Sequence, residues 1–456
     1  MKKKSVTLVM LLLLVCSIPA LISCRKFLDE KPDKKLAVPA TTADVQALLD
    51  YYNHLVLDPA ADEVSADDYY VTTATWQALS KEEDRRLYTW QKDYVFVPSA
   101  NDWFTVYRNI YYYNTVLDHL QKITVTPENE AEWKHVKGQA LMLRGRAFLQ
   151  VINIWALAYD KASANTDLGI PLRLNSDFTE ISVRASVQQS FNQIISDLKV
   201  SIPLLPARAT HVIRASRSAA FAFLARTYLA MQDYSNAGLY ADSCLQLYNN
   251  LLDYNSLNAA ATYPVPQFNP EMLFYSVQLP SILSNSRAKI DSVLYSSYAV
   301  NDCRKTVFFK SNGDGTYGFK GSYDGNSGSA LFTGIATDEV YLIRAECHAR
   351  AGNKNAALAD LNALLVKRYK TGTFIYLTAV DANEALAKIL VERRKQLLMR
   401  CIRWMDIKRL NKEGAAISCK RLVNNQTYLL LPNDLRFALP IPEVIIEMTG
   451  MQQNPR

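Results

Sequence analysis

The chain has 456 residues, of which 49% are hydrophobic and 21% charged, with 15 Gly and a net charge of +7. This balance is typical of a globular protein, and it excludes a disordered chain, a collagen-like repeat and a disulfide miniprotein. The positive charge is modest and forms no basic stripe, so nucleic-acid binding is not predicted.

The first residues have the pattern of an export signal. Three lysines, from Lys2 to Lys4, precede an apolar run over residues 6–22 that contains Pro19. This is the order of regions in a secretion signal, and the run is short for a transmembrane span, which takes about 20 residues. Leu21-Ile22-Ser23-Cys24 then resembles a bacterial lipobox, in which the cysteine is lipidated.

These features predict three segments. Residues 1–23 form a lipoprotein signal peptide, residues 24–35 are the lipidated Cys24 with a charged tether, and residues 36–456 form a single domain. The remaining cysteines are widely spaced and form no CxxC pair, so we predict buried free thiols rather than a metal site or a disulfide framework. They are Cys244, Cys303, Cys347, Cys401 and Cys419.

Amphipathic helices dominate the domain, because apolar residues recur at spacings of three and four. The predicted helices cover residues 103–123, 133–159, 187–205, 217–231, 235–248, 338–351, 356–369 and 383–410. Irregular segments are predicted at about 58–102, 160–183, 253–333 and 411–456, with strand-like runs at Thr306–Phe309 and Tyr428–Leu431. The fold class is therefore mainly α.

Two helix pairs share an internal repeat. Ala225 and Ala237 in one pair, and Ala345 and Ala357 in the other, have the same spacing in the sequence. Small residues at such positions let two helices pack closely, as in a tetratricopeptide (TPR) unit. Gly145 and Phe148 could belong to a third, degenerate unit. These repeats predict a scaffold and do not by themselves indicate a function.

The common catalytic motifs are absent from the sequence. It has five histidines, and none lies in an HExxH motif; GxSxG and Walker motifs are also missing. Gly313 to Gly318 matches GxGxxG, but the residues after it cannot continue as the helix that a dinucleotide site needs, so we interpret it as a turn-rich loop. We predict no enzyme activity, no metal and no cofactor.

Two charged clusters have structural interpretations. Asp62, Glu63, Asp67 and Asp68 could gather around Ca²⁺ but lack the spacing of a calcium loop, so a solvated acidic loop is favoured. The cluster on the last long helix has the three- and four-residue spacing of helix-surface ion pairs. Its members are Glu392, Arg393, Arg403, Asp406 and Arg409.

Aromatic residues are the remaining candidates for function, with six Trp, 26 Tyr and 16 Phe. Flat rings stack on the apolar faces of sugars, while hydroxyl and amide groups hold the sugar hydroxyls. Trp103, Trp155 and Trp404 lie on helical apolar stripes and are predicted to be core, whereas Trp133 is undecided. Rings in or beside irregular segments are the candidate ligand-binding residues: Trp76, Tyr70, Tyr69, Trp90, Tyr295, Tyr298 and Tyr323.

Several segments, in order along the chain, resemble the SusD/RagB family of Bacteroidetes nutrient-uptake lipoproteins. They include Phe27-Leu28-Asp29, residues 41–49, residues 138–141 with Arg144 and Phe148, and Leu168 to Leu172. Residues 219–229, 338–346 and 392–409 and Leu439-Pro440-Ile441-Pro442 follow the family pattern further on. Gln396 and Arg400-Cys401 depart from it, since acidic and glycine residues are usual there, and we expect these to be helix-surface changes.

The resemblance implies a SusD-like, TPR-like helical scaffold that supports a loop-rich ligand face. It implies an outer-membrane lipoprotein, facing the cell exterior, that delivers a glycan to a SusC-like TonB-dependent transporter and acts as its lid. Because the family's ligand contacts come from variable loops, no binding residue transfers with the resemblance. A peptide or other nutrient as cargo, and a TPR-type scaffold for protein partners, stay open as alternatives.

Overall fold

The predicted helices up to residue 369 are present close to their predicted bounds. The computed structural model describes residues 39–326 and 328–456 of the chain, and Thr42–Arg456 form one compact unit. The long helices are α1 (Thr42–Leu49), α6 (Asp102–Leu120), α7 (Glu130–Trp155), α8 (Val187–Ser201), α9 (Arg217–Ala230), α10 (Tyr234–Leu247), α13 (Thr337–Arg350), α14 (Lys354–Leu365), α15 (Ala382–Gln396) and α16 (Arg403–Lys412).

Short elements occupy the predicted irregular segments. The short helices are α2 (Tyr52–Leu55), α3 (Ala61–Ser65), α4 (Thr73–Gln77), α5 (Glu82–Tyr88), α11 (Ser292–Ser296), α12 (Arg304–Val307) and α17 (Glu443–Thr449). The strand-like run predicted at Thr306–Phe309 is largely wrong, because α12 covers its first residues and a strand begins only at Phe309.

The strands of the described residues pair two by two, and every pair is antiparallel. Local hairpins join β2 (Leu168–Pro171) with β3 (Arg184–Ser186), β7 (Phe309–Ser311) with β8 (Tyr317–Phe319), and β11 (Cys419–Val423) with β12 (Gln426–Leu430). Distant segments meet in the pairs of β1 (Tyr69–Tyr70) with β6 (Lys289–Ile290), β4 (Met272–Phe274) with β10 (Ile335–Ala336), and β5 (Val277–Gln278) with β9 (Leu331–Phe332).

The two repeats pack as their spacing predicts. Helices α9 and α10 contact each other, as do α13 and α14, and α10 packs on α13. All four alanines of the repeat, Ala225, Ala237, Ala345 and Ala357, are fully buried. In the degenerate unit, a Cβ added at Gly145 would lie 3.1 Å from the Cβ of Asp197 on α8, so glycine permits a close approach there. Helices α6 to α10 each pack on the next, and this array supports the irregular segments.

The prediction of one continuous helix over 383–410 is wrong, because a non-helical break separates α15 from α16. Met399 and Cys401 in the break have φ values of 57° and 56°, which lie in the left-handed region. A residue with a side chain is strained there and glycine is not. Cys401 stands where the family pattern has glycine, so this departure is at a backbone turn and not on a helix surface.

The charged cluster of these helices is also mostly buried, contrary to the predicted surface pairs. Arg393 Nε lies 2.8 Å from Asp406 Oδ2 across the break, and Arg409 Nη1 lies 2.6 Å from Glu346 Oε1 on α13. Burial raises the cost of an isolated charge, so these groups are stable inside because each has a partner. These ion pairs therefore join helices, while Arg409 Nε also lies 2.8 Å from Asp406 Oδ1 on the same helix, at the three-residue spacing that was predicted.

The acidic segment that was predicted to be a solvated loop is buried. Arg403 Nε lies 2.6 Å from Asp67 Oδ1, and Arg394 Nε lies 2.7 Å from Asp68 Oδ1. Although burial alone would raise it, the charge of Arg403 lowers the pKa of Asp67 to about 2. Glu63 Oε2 accepts a hydrogen bond from the backbone N–H of Cys401 at 2.6 Å. These acids attach the segment after α3 to the carboxy-terminal helices.

The other departures from the family pattern are buried as well. Gln396 donates a hydrogen bond to Asp338 Oδ2 at 2.9 Å and accepts one from Arg368 Nε at 3.0 Å. Arg400 Nη1 lies 3.2 Å from the same Asp338 oxygen. An amide and an arginine thus surround the Asp338 carboxylate, so these changes lie in a buried polar network.

The five described cysteines are free, as predicted; Cys401 is half-buried and the other four are buried. In the part of the chain that the structure describes, no helix combines the length and the apolar character of a membrane span. The predicted signal peptide, the lipidated Cys24, the tether and the domain start at residue 36 lie outside the described residues and stay predictions.

The strain at residue 401 leads to a stability prediction. We expect the free energy of unfolding of Cys401→Gly to be about 1 kcal/mol higher than that of Cys401→Ala, because glycine has no Cβ to clash in the left-handed backbone conformation. Both variants lose the thiol, so alanine is the matched control. Urea unfolding followed by circular dichroism measures the difference, and equal stabilities would show that the break carries no strain at this residue.

The buried pair of Arg226 on α9 and Glu339 on α13, at 2.6 Å, leads to a second prediction. We expect Arg226→Met and Glu339→Leu each to lower the free energy of unfolding by about 3–5 kcal/mol, because each leaves the other charge buried without its partner. The double variant should lose clearly less than the sum of the two, since it leaves neither charge behind. The exposed pair of Arg214 and Asp50 is the control, and Arg214→Met should cost about 1 kcal/mol or less. Additive losses in the buried pair would contradict the prediction.

Candidate ligand-binding site

Four of the seven predicted rings are buried, so their predicted exposure is wrong: Tyr69, Trp90, Tyr298 and Tyr323. The Tyr69 hydroxyl donates to the Val64 carbonyl at 2.7 Å, and the Trp90 indole N–H donates to the Ser65 carbonyl at 3.1 Å. Because the polar atom of each ring has a hydrogen-bond partner, the ring can be buried even where the surrounding chain has little regular secondary structure. Irregular segments here cover the core instead of projecting from it.

The other two buried rings follow the same rule. Tyr298 donates to the carbonyl of Lys395 at 2.8 Å, and the hydroxyls of Tyr323 and Tyr254 are 2.9 Å apart. The tryptophans predicted to be core, Trp103, Trp155 and Trp404, are buried, and the undecided Trp133 is half-buried.

Three predicted rings stay accessible to different degrees: Tyr70, Trp76 and Tyr295. The register of β1 and β6 sets Tyr70 opposite Lys289, and α11, which carries Tyr295, follows β6 directly. Tyr70 is 36% exposed and Tyr295 is half-buried. The sheet pair thus brings two candidates from distant parts of the sequence to one region of the fold.

Trp76 lies on α4 in the same loop-rich part of the chain. Its indole N–H donates to the Arg85 carbonyl of α5 at 3.2 Å, and its ring packs partly on the core. The neighbouring Gln77 amide donates to Asn424 in the β11–β12 turn at 2.7 Å. Because Trp76 is half-buried, its substitution would affect stability as well as binding, and Tyr70 is the cleaner probe.

Tyr317 is a ring that the sequence analysis missed. It stacks on Tyr295 with ring centroids 3.6 Å apart and an angle of 14° between the rings. Burial, followed by the interaction with Tyr317, raises the pKa of Tyr295 to about 12, so this phenol is neutral at physiological pH. Tyr317 is the first residue of β8 and lies within the GxGxxG stretch, which forms the β7–β8 turn with the start of β8 and is not a nucleotide loop.

A lysine fixes this turn to the neighbouring strand. Lys289 Nζ donates to Thr316 Oγ1 at 2.8 Å and to Asp314 Oδ2 at 3.1 Å. The hydrogen bonds from Thr316, with Lys289, lower the pKa of Asp314 to about 2. The result is a surface on which stacked rings lie beside an ammonium, a carboxylate and a hydroxyl. We call this surface, formed by Tyr70, Tyr295, Tyr317, Lys289, Asp314 and Thr316, the aromatic platform.

A cavity of about 360 Å³ opens between α3, α5, the start of α6 and residues 279–282. Asp84 and Asp102 line it together with apolar residues such as Phe96. Asp102 Oδ2 accepts the backbone N–H groups of Ala60 and Ala61 at 2.8 Å each. The volume falls within the range of small-molecule sites. Sequence reasoning had no signal for it, because four separate segments form its walls.

The described residues contain no group of three or more His, Cys, Asp or Glu side chains that could hold a metal ion. The residues that were considered for calcium, Asp62, Glu63, Asp67 and Asp68, are engaged with protein groups, and all but the half-buried Asp67 are buried. The groups of the aromatic platform offer ring stacking, hydrogen bonding and charge.

Two family models match the chain. A model described as starch-binding and associating with the outer membrane matches residues 26–229, and the model of the SusD family matches residues 318–455. Together they cover most of the sequence and include most of the segments that carry the resemblance. No curated protein matches the chain.

Solved structures share the fold. A SusD superfamily protein from Bacteroides thetaiotaomicron superposes with a TM-score of 0.74 at 21% identity, covering 91% of this chain and 100% of its own. A SusD superfamily protein from Bacteroides fragilis has a TM-score of 0.72 at 19% identity, with 91% and 99% covered. A SusD-like carbohydrate-binding protein from Bacteroides vulgatus has a TM-score of 0.64 at 21% identity, with 86% and 89% covered.

The opposite burial of two adjacent rings on β1 leads to a prediction. Tyr69 is 1% exposed and Tyr70 is 36% exposed. We expect Tyr69→Ala to lower the free energy of unfolding by about 3–5 kcal/mol, as for other buried aromatic residues, and Tyr70→Ala by about 1 kcal/mol or less. Thermal unfolding of the two variants measures this contrast. Similar losses in both would mean that β1 does not have the register described.

Proposed function

Because this chain belongs to the SusD/RagB family, we propose that it captures a glycan at the cell surface and delivers it to a SusC-like TonB-dependent transporter, for which it acts as a lid. The family is one of carbohydrate-binding, outer-membrane-associated proteins and not of enzymes. The glycan, the transporter and the lid role are the parts that we propose for this chain.

The observation that carries the proposal is the aromatic platform. Tyr70 presents an exposed ring, and the stacked Tyr295 and Tyr317 form a rigid aromatic surface beside hydrogen-bonding groups. Rings of this kind stack on the apolar faces of pyranoses, and the polar groups orient the sugar hydroxyls. A preformed surface loses little entropy on binding, which favours capture even when each contact is weak.

The predicted anchor supports the cellular role. A lipid on Cys24 would hold the chain at the membrane, and a second contact with a transporter would raise the effective concentration of ligand at its entrance. Release to the transporter requires modest affinity, which suits a shallow site of stacked rings. We place the protein on the outer membrane, facing the cell exterior.

The TPR-type scaffold for protein partners predicts a polar face without exposed rings. The exposure of Tyr70 and the half-buried Tyr295 and Tyr317 favour ligand binding over that alternative. Peptide cargo is distinguished by experiment and by neighbouring genes, since glycoside hydrolases beside the transporter gene indicate a glycan and peptidases a peptide.

Affinity electrophoresis against plant, host and microbial polysaccharides, with residues 25–456 and without the lipid, tests the proposal. We expect retardation by one glycan class. Tyr70→Ala and Tyr295→Ala should each weaken the Kd for that glycan about tenfold, equivalent to about 1.4 kcal/mol, because each removes a stacking ring.

The matched control is Tyr376→Ala, since Tyr376 is a 64% exposed tyrosine in the loop between α14 and α15. This variant should bind as the parent chain does. Tyr70→Ala and Tyr376→Ala should keep the parent melting temperature within a few degrees, whereas Tyr295→Ala removes a half-buried ring that stacks on Tyr317 and should lower it. Glycan binding that is insensitive to Tyr70 and Tyr295 would place the site elsewhere. Binding of peptides but of no glycan would overturn the proposed cargo.

A further inference from the structure

We propose that the cavity between α3, α5 and the start of α6 binds a sugar unit that carries a free ammonium group. The inference rests on the proposed function, because it names the chemical class of one unit of the glycan. The ammonium would lie between Asp84 and Asp102, with the sugar ring against the apolar wall. The cavity's charge and its apolar lining each support this assignment.

The cavity has an excess of carboxylates. Glu83, Asp84 and Asp102 line it, and Lys81 is the single cation in its lining among the described residues. No described side chain donates a hydrogen bond to Asp84, and the bonds that Asp102 accepts come from neutral backbone N–H groups. Carboxylates form their strongest hydrogen bonds with cationic donors. The lining is therefore complementary to a positively charged ligand.

The inner wall of the cavity is closed by a buried ion pair. Asp58 lines the cavity and is 6% exposed. Its Oδ2 is held by Arg146 and Thr333, but its Oδ1 has no hydrogen-bond partner among the described residues. That oxygen has essentially no accessible surface, and the Asp58 carboxylate, paired with Arg146, is only 1% exposed, so it lies behind the cavity wall and out of reach of a ligand. The carboxylates that face the cavity for a ligand are therefore those of Glu83, Asp84 and Asp102.

Apolar side chains form the other side of the cavity. Phe96, Leu87 and Ile282 line it, and all three are buried. Hydroxyls of Thr105 and Ser281 lie among the lining residues and are groups that can bond sugar hydroxyls. A pyranose has an apolar face and a polar rim, so an amino sugar matches this two-sided lining better than a simple ammonium ion.

The electrostatics of the two carboxylates agree with a site for a cation. Burial raises the pKa of Asp84, and the neighbouring Glu83 raises it further, while Lys81, Arg287 and Arg85 act in the opposite direction. Burial also raises the pKa of Asp102, and the charge that acts on it is another carboxylate, Asp84. A ligand cation would stabilise both ionised forms.

Isothermal titration tests the inference with glucosamine tetramer, at a pH where its amines are protonated, and with the neutral N-acetylglucosamine tetramer. We expect the amino form to bind at least tenfold more tightly. Asp84→Asn should reduce that preference to less than threefold with an unchanged melting temperature, and Asp102→Asn should do the same if it folds. Glu82→Gln is the control, since Glu82 lies on α5 with its side chain 61% exposed and outside the lining.

Equal binding of the two tetramers, or a preference that survives Asp84→Asn, would overturn the inference. A lysine tripeptide that binds through Asp84 while the amino sugar does not would also overturn it, in favour of a basic peptide. The failure of the proposed function looks different. A neutral glycan that is lost in Tyr70→Ala or Tyr295→Ala but retained in Asp84→Asn would leave the proposed function intact without a cationic subsite.

Discussion

The attachment of a short acidic segment to the carboxy-terminal helices determines where the candidate ligand surface lies. Asp67 and Asp68 pair with Arg403 and Arg394, which follow them by more than three hundred residues. Because buried charges are stable only with their partners, this segment has one position on the body of the protein. Strand β1 begins at the next residue and pairs with β6. The positions of Tyr70 and of the segment that leads to Tyr295 therefore depend on these ion pairs. The loop-rich face is therefore fixed by ion pairs rather than by a large sheet.

The helical part of the fold was predictable because its signal is local. Apolar residues at three- and four-residue spacing defined most of the long helices, and the paired alanines identified two of the contacts between them. The break between α15 and α16 gave no such signal, since Met399 and Cys401 adopt left-handed backbone without being glycine. Buried arginines were mistaken for surface residues for a similar reason. Arg409 finds its partner Glu346 on another helix, and spacing within one helix cannot reveal that contact.

The candidate site was predictable only in part. Sequence reasoning located aromatic residues in irregular segments, but it could not separate Tyr69 from Tyr70, whose side chains point to opposite sides of the same short strand. It missed Tyr317, which stacks on a residue that it had selected, because the contact depends on a turn folding back onto α11. It also missed Asp84 and Asp102, since their cavity exists only where three segments between residues 57 and 105 meet residues 279–282. Contacts of this kind are tertiary information, which one sequence without an alignment does not contain.

The described cysteines have a practical consequence for producing the protein. Burial raises the pKa of the Cys244, Cys347 and Cys419 thiols to about 12, so the thiolate that reacts in disulfide exchange is scarce at neutral pH. None of the five described cysteines is paired in the folded chain. The folded part thus has the same covalent structure in a reducing cytosol and in an oxidising periplasm. Recombinant chain that lacks the predicted signal peptide can accordingly be made in the cytosol without an oxidative refolding step.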